Sequence, residues 1–184
     1  MKASARSVQP SLVRPPRNRR ARAAAWRRGS VSVELAAVAL PLFLIVSGTI
    51  EVGLSALNAA VLDGATREAA RQIRTGQAQS SGDPLATFRD RLCNQVSGMI
   101  DCARIVIDVR NFPNFAAVSV PPLYDANGNA MPSSFQPGDA GEIVVVRSSL
   151  RWRFQTPLLS SLIGPYRDLD SAFVFRNEPF KGPL

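Results

Sequence analysis

Arg27-Arg28-Gly29-Ser30-Val31-Ser32-Val33-Glu34 leads into sixteen residues without a charge, Leu35 to Ile50, closed by Glu51. From Val31 to Ile50 the run is about twenty mostly apolar residues, enough at roughly 1.5 Å per residue to cross a ~30 Å hydrocarbon layer. The spacing predicts one membrane-spanning helix whose apolar anchor includes Leu35, Leu40, Pro41, Leu42, Phe43, Leu44, Ile45 and Ile50. Glu34 is the anomaly, because an ionisable group at the mouth of such a helix costs on the order of a few kcal/mol without a partner.

Upstream the chain is basic: nine of its 22 Lys and Arg residues precede Glu34, the first of 14 acidic ones, so the net charge of +8 belongs to this tail. Arg27 and Arg28 form a cytoplasmic topology signal by the positive-inside bias, which predicts a cytoplasmic N-terminus and a C-terminal portion across the membrane. Residues 1–29, with Pro10, Pro15 and Pro16 and no apolar periodicity, read as a disordered basic leader. Arginine clusters also suit nucleic acid, but only Trp26 interleaves them, and nucleic acid is not expected as a partner.

Downstream of Glu51, Leu54, Leu57, Val61, Ala65, Ala69 and Ile73 recur three or four apart, so the helix is expected to leave the bilayer as an amphipathic extension. Asp63 and Arg67 form an i,i+4 pair, and Gly76 is the stop signal. Residues 30–75 thus make one helix, bent at Pro41. Asp83-Pro84 opens a second helix with Leu85, Phe88, Leu92, Val96 and Met99 on one face. Strands follow at Ile105–Arg110, Glu142–Phe154 and Ser171–Arg176, and five prolines between Asn111 and Gly141 write a long loop.

The predicted fold is α+β: a long N-terminal transmembrane helix extending into a small periplasmic domain, residues 76–184, with an antiparallel sheet of about three or four strands and one packed helix. Trp152 and Phe154 join the inner face of the Glu142 strand, and Arg147, Arg151 and Arg153 are expected on a wet outer face. Cys93 and Cys102 would lie in an oxidising compartment, where a disulfide is the expected state and a reduced buried pair the alternative.

Candidate chemistry is sparse. The chain has no histidine, which removes the commonest general base and the usual zinc sites. Asp125-Ala126-Asn127-Gly128-Asn129 begins like a calcium loop, but Ala130 and Gln136 replace the glycine and glutamate it needs, so it reads as a turn. No enzyme activity, cofactor or metal is expected. A cleavable export signal ending at Gly53-Leu54-Ser55 would cut through the helical pattern.

Gly29-Ser30 with Glu34 four residues beyond the serine resembles the processing site of type IV pilin-like precursors. The segments Arg28-Gly29-Ser30-Val31-Ser32-Val33-Glu34, Leu40-Pro41-Leu42, Ile50-Glu51-Val52-Gly53 and Asp63-Gly64-Ala65-Thr66-Arg67-Glu68-Ala69-Ala70-Arg71 together resemble the N-terminal region of the TadE-like family. These are minor pseudopilins of the Tad (tight adherence, Flp) pilus apparatus. Leu92-Cys93, Pro137-Gly138, Thr156-Pro157-Leu158 and Arg176-Asn177-Glu178-Pro179-Phe180 agree more loosely.

The resemblance implies cleavage between Gly29 and Ser30 by a prepilin peptidase, and an intersubunit role for the Glu34 carboxylate. It implies partners in the inner membrane, other pilins or pseudopilins and the Tad assembly machinery. Two other readings share most of the pattern. One is a generic single-span envelope protein presenting a periplasmic ligand- or partner-binding domain, and the other an anchored regulator using its arginine arm on DNA.

Overall fold

The computed structural model describes residues 19–180, as backbone alone over 19–30. Part of the expected leader, residues 1–18, lies outside the described residues. Helix α1 spans Arg19–Arg74 and contains Pro41. Helical backbone therefore extends upstream of Ser30, through Ala21, Ala23, Ala24 and Ala25, residues of high helix propensity downstream of the last leader proline.

By compactness the chain falls into two units, residues 1–43 and 44–184. The second holds the folded domain. Its α2 is Pro84–Val96, and its strands are β1, Ile105–Phe112, and β2, Ile143–Arg153. A short helix α3, Pro157–Ile163, precedes the last strand, β3, Tyr166–Arg176. The sheet is antiparallel with β2 in the centre, Val146 facing Val109 on one side and Phe173 on the other. Three strands and an α+β fold are what the alternation predicted. β3, however, starts at Tyr166, upstream of the expected Ser171, because Arg151, Trp152 and Arg153 keep pairing down to the α3 connection.

The core lies between one sheet face and the two helices. Leu62, Ala65, Ala69 and Ile73 of α1 meet Phe88, Leu92 and Val96 of α2, with Ile107, Val109, Val144, Val146, Leu150 and Leu169 beneath. Leu85 and Met99, expected on the inner face of α2, are exposed at its two ends. Asp83 caps α2 by accepting the Ala86 amide at 3.0 Å. Arg91 donates to Glu68 at 2.5 Å, tying α2 to α1. Cys93 and Cys102 are joined in a disulfide, their Cα atoms 5.5 Å apart, which fastens α2 to the turn entering β1.

The outer sheet face is wet at Arg153 and along β3, as expected, but covered over β2. Residues 143–150 of β2 are buried throughout, Arg147 among them. Asp108 and Arg147, paired across the ladder, form an ion pair at 2.6 Å, and Arg147 also donates to the Pro121 carbonyl at 2.8 Å. Arg151 binds Asp168 through both a 2.7 Å and a 2.9 Å bond and lies over the Tyr124 ring at 4.2 Å. The long loop supplies this cover. It also borders β1, with Phe135 bridging Val109 and meeting Phe88 edge-on. Asp125 accepts the Asn127 and Asn129 amides, so the calcium-like stretch is a turn.

α1 ends at the expected glycine. Gly76 has φ +78°, and the Phe180 ring fills the place of a Cβ there. Gly76→Ala combines a left-handed alanine with that collision and should cost about 1–3 kcal/mol. Gly64, inside α1 with nothing near its missing Cβ, should gain about 1 kcal/mol on Gly64→Ala. Thermal unfolding of the full chain in detergent, run on both variants, checks the opposite signs.

Burial by itself would push the Asp108 carboxyl up, but bonds from Arg110, Arg147 and the Ser134 amide together hold it below its ordinary value. Asp125, through the backbone and side chain of Asn129, and Glu142, through the Asp139 amide and Asn111, are lowered as well. Below the ordinary carboxylate range, near pH 4, the unfolded chain thus binds more protons than the folded one. Stability should be constant above about pH 5 and fall as pH drops through and below about 4. Denaturant titrations at pH 7, 4 and 3 should show this loss, and a smaller one in Asp108→Asn.

Candidate functional site

The candidate site is α1 itself, and its two parts are built differently. Among the described residues α1 is the helix long and apolar enough to cross a membrane, and none of its most apolar window is buried within the chain. Leu35, Leu40, Leu42, Phe43, Ile45 and Ile50 are between 57 and 74% exposed, with Leu44 half-buried. A helix apolar all round and uncovered by its own chain suits a lipid or protein environment. Glu34 sits on this segment with its side chain exposed, and the Gly29–Ser30 bond lies in helical backbone just before it. The helix therefore places the Gly29–Ser30 bond and the Glu34 carboxylate about one turn apart.

From Glu51 onward the helix acquires an inner face. Glu51, Ser55, Asn58, Leu62, Ala65, Thr66, Ala69 and Ile73 are buried, repeating three or four apart. This is not quite the stripe read from the apolar residues. Leu54 and Leu57, expected to pack inward, are 47 and 48% exposed, and the inner positions at that level are polar. Ser55 and Asn58 donate to the Val52 and Leu54 carbonyls of α1 itself, while the other polar groups of the stripe meet the rest of the domain. Glu51 accepts the backbone amides of Gln155 and Thr156, the latter at 2.8 Å. Thr66 bonds Ser148 on the central strand, and Asp63 accepts Ser171 Oγ at 2.9 Å while pairing with Arg67 as predicted.

Glu51 is thus the one buried acid of the α1 segment nearest the anchor, and its two oxygens meet amides that the start of α3 would otherwise leave unpaired. Apolar spacing alone could not reveal it, since Glu51 looks like the polar end of a membrane run. The signal was in the period: Glu51, Ser55, Asn58 and Leu62 continue the register of Ala65, Ala69 and Ile73 backwards along the helix. Alongside, Arg67, Arg71 and Arg74 with Phe173, Val174 and Phe175 border an open groove of about 400 Å³. Arg67 stacks on the Phe173 ring at 5.1 Å.

The Gly29–Ser30 bond, Glu34, the apolar run and the docked half thus all fall within α1. Residues 29–71 match the family model described as TadE-like protein. This match covers the segment on which the densest part of the resemblance rested, from Gly29 to Arg71, and stops before the sheet. Neither the curated proteins nor the solved structures contain a match to the chain. The TadE-like match therefore covers the exposed apolar run plus the docked half of α1, and the matched region includes the Glu51 contact along with Glu34.

Removing the Glu51 carboxylate leaves the buried Thr156 amide and the part-buried Gln155 amide without that acceptor, a loss of about 1.5–3 kcal/mol for charge-assisted bonds. Glu51→Ala should raise hydrogen exchange at Gln155, Thr156 and through α3 by roughly 10- to 100-fold, leaving β1 and β2 protected. Glu51→Gln, which keeps one acceptor oxygen, should fall between the two.

Proposed function

We propose that this protein is a minor pseudopilin-like component of a Tad (Flp) pilus assembly system. It is anchored in the inner membrane by α1, with its N-terminus cytoplasmic and its α+β domain in the periplasm. Its work is to initiate, cap or support pilus assembly through contacts with other pilins or pseudopilins and the assembly machinery, with no catalysis of its own. The observation that carries the reading is the TadE-like match over residues 29–71. Within that match, a Gly-Ser bond and a glutamate stand at the head of an exposed apolar helix rooted in a folded domain.

The physical logic is one of charge pairing. A prepilin peptidase cutting after Gly29 would create an amine on Ser30. In a packed bundle of such helices the Glu34 carboxylate of one subunit neutralises the amine of its neighbour. A carboxylate costly in an apolar bundle then sets register and order of assembly. The double arginine ahead of Gly29 supports a cytoplasmic position for the scissile bond, by the positive-inside bias. The disulfide fits a periplasmic domain, since oxidising compartments are where such bonds persist.

N-terminal sequencing of the membrane-extracted protein should begin at Ser30, and Gly29→Leu should leave the precursor uncut; wild type retaining residues 1–29 would sink the processing role. Glu34→Ala should insert normally yet lose co-assembly with pilus subunits. Unchanged piliation in that variant would remove the pairing role.

A further inference from the structure

α3 is apolar but takes no part in the core: none of its residues is buried, and Leu158, Leu162 and Ile163 are 39, 70 and 60% exposed. It lies against α1. Leu159 packs on Gly48, its side chain 3.8 Å from the place of a Cβ on that glycine. Leu158 and Leu159 share a shallow apolar groove with Leu44, Ile45 and Val52. Ile45 and Gly48 fall before Ile50, the end of the charge-free run, by roughly 7.5 and 3 Å of helical rise. A bilayer that accepts α1 as far as Ile50 therefore reaches the level of α3.

The strand ends flanking α3 have the composition of a headgroup region. Trp152 lines a groove with Ile50 and Leu54, and Tyr166 is half exposed. Across the ladder Trp152 faces Arg167, and Tyr166 faces Arg153, both arginines exposed. Amphipathic aromatics and long cations are the side chains that settle at the membrane interface. Glu51 holds the start of α3 at this depth, where free amides would be costly.

We propose that α3 is a second membrane contact. Leu158, Leu162 and Ile163 insert into the leaflet through which α1 leaves the bilayer, with Trp152 and Tyr166 at headgroup level and Arg153 and Arg167 on lipid phosphates. Lipid is the occupant because the apolar surface of α3 is continuous with the outward face of the span itself, at Ile45 and Ile50. The domain then rests on the membrane at two points, its orientation set before any subunit meets it. This inference rests on α1 spanning a membrane and is independent of the pilus role.

The test uses the full chain with its disulfide intact, in phosphatidylethanolamine–phosphatidylglycerol vesicles. It carries a nitroxide at Leu162→Cys, at Leu42→Cys in the span, or at exposed Ser119→Cys. Collision with oxygen is compared with collision with a water-soluble nickel chelate. Position 162 should resemble position 42, with nickel access on the order of tenfold below position 119, at every protein-to-lipid ratio. Nickel access at 162 equal to that at 119, with 42 shielded, overturns the contact and leaves the span intact. Shielding at 162 that disappears on dilution into lipid overturns it too, by assigning the surface to a second copy. If 42 is also open to nickel, the span itself fails.

Discussion

The contact between the Glu51 carboxylate and the amides of Gln155 and Thr156 joins two segments 104 and 105 residues apart in the chain. Upstream of it α1 is covered chiefly where α3 packs on Gly48 and Leu44, and downstream it has a continuous inner face. A carboxylate there meets two demands at once: it needs donors because it is buried, and the buried Thr156 amide at the start of α3 needs an acceptor. Each satisfies the other, so the helix passes from its apolar run to the protein core without an exposed break. The other polar pairs along the same stripe, Thr66 with Ser148 and Asp63 with Ser171, hold the helix in register over the sheet.

The sheet depends on a second buried pairing. A three-stranded sheet with a single packed face would leave Arg147 in water, and that is how its alternation reads. Here the Asn111–Gly141 loop closes over the far side, and the Asp108–Arg147 pair becomes interior. The loop's prolines suit that duty, because Pro121 offers a carbonyl to Arg147 without an amide that needs its own partner. What looks like an oversized irregular connection is the third layer of a small domain.

Much of this was legible in the residues. The apolar run, the Asp83-Pro84 start, the Gly76 stop and the strand alternation each obey a local rule, and the structure follows them. The TadE-like resemblance was readable for the same reason, being concentrated in one continuous helix. What stayed hidden depends on distant partners. Glu51 resembles a polar boundary until Gln155 and Thr156 are placed beside it, and Arg151 resembles a solvated cation until Asp168 and Tyr124 surround it. Leu54 and Leu57 keep helical spacing, yet the face that meets the sheet is the one carrying Leu62, Ala65, Ala69 and Ile73, which leaves them outward. The helix α3 is a seven-residue apolar segment, too brief for periodicity to define.

The wide separation in sequence between α1 and its partners has a kinetic side. Thr66 and Ser148 stand 82 residues apart, so the inner stripe of α1 has little to pack on until the final hairpin has been made. Loop closure over such a distance slows folding more than it lowers stability. During synthesis α1 emerges first and the strands that cover it emerge last. Anchoring α1 in the bilayer would hold the unfinished stripe close to the point where β2 and β3 arrive, and the disulfide can settle the α2–β1 unit in the interval. If α1 spans a membrane as proposed, the domain would be completed late, beside the segment of α1 that leaves the bilayer, once β2 and β3 have been made.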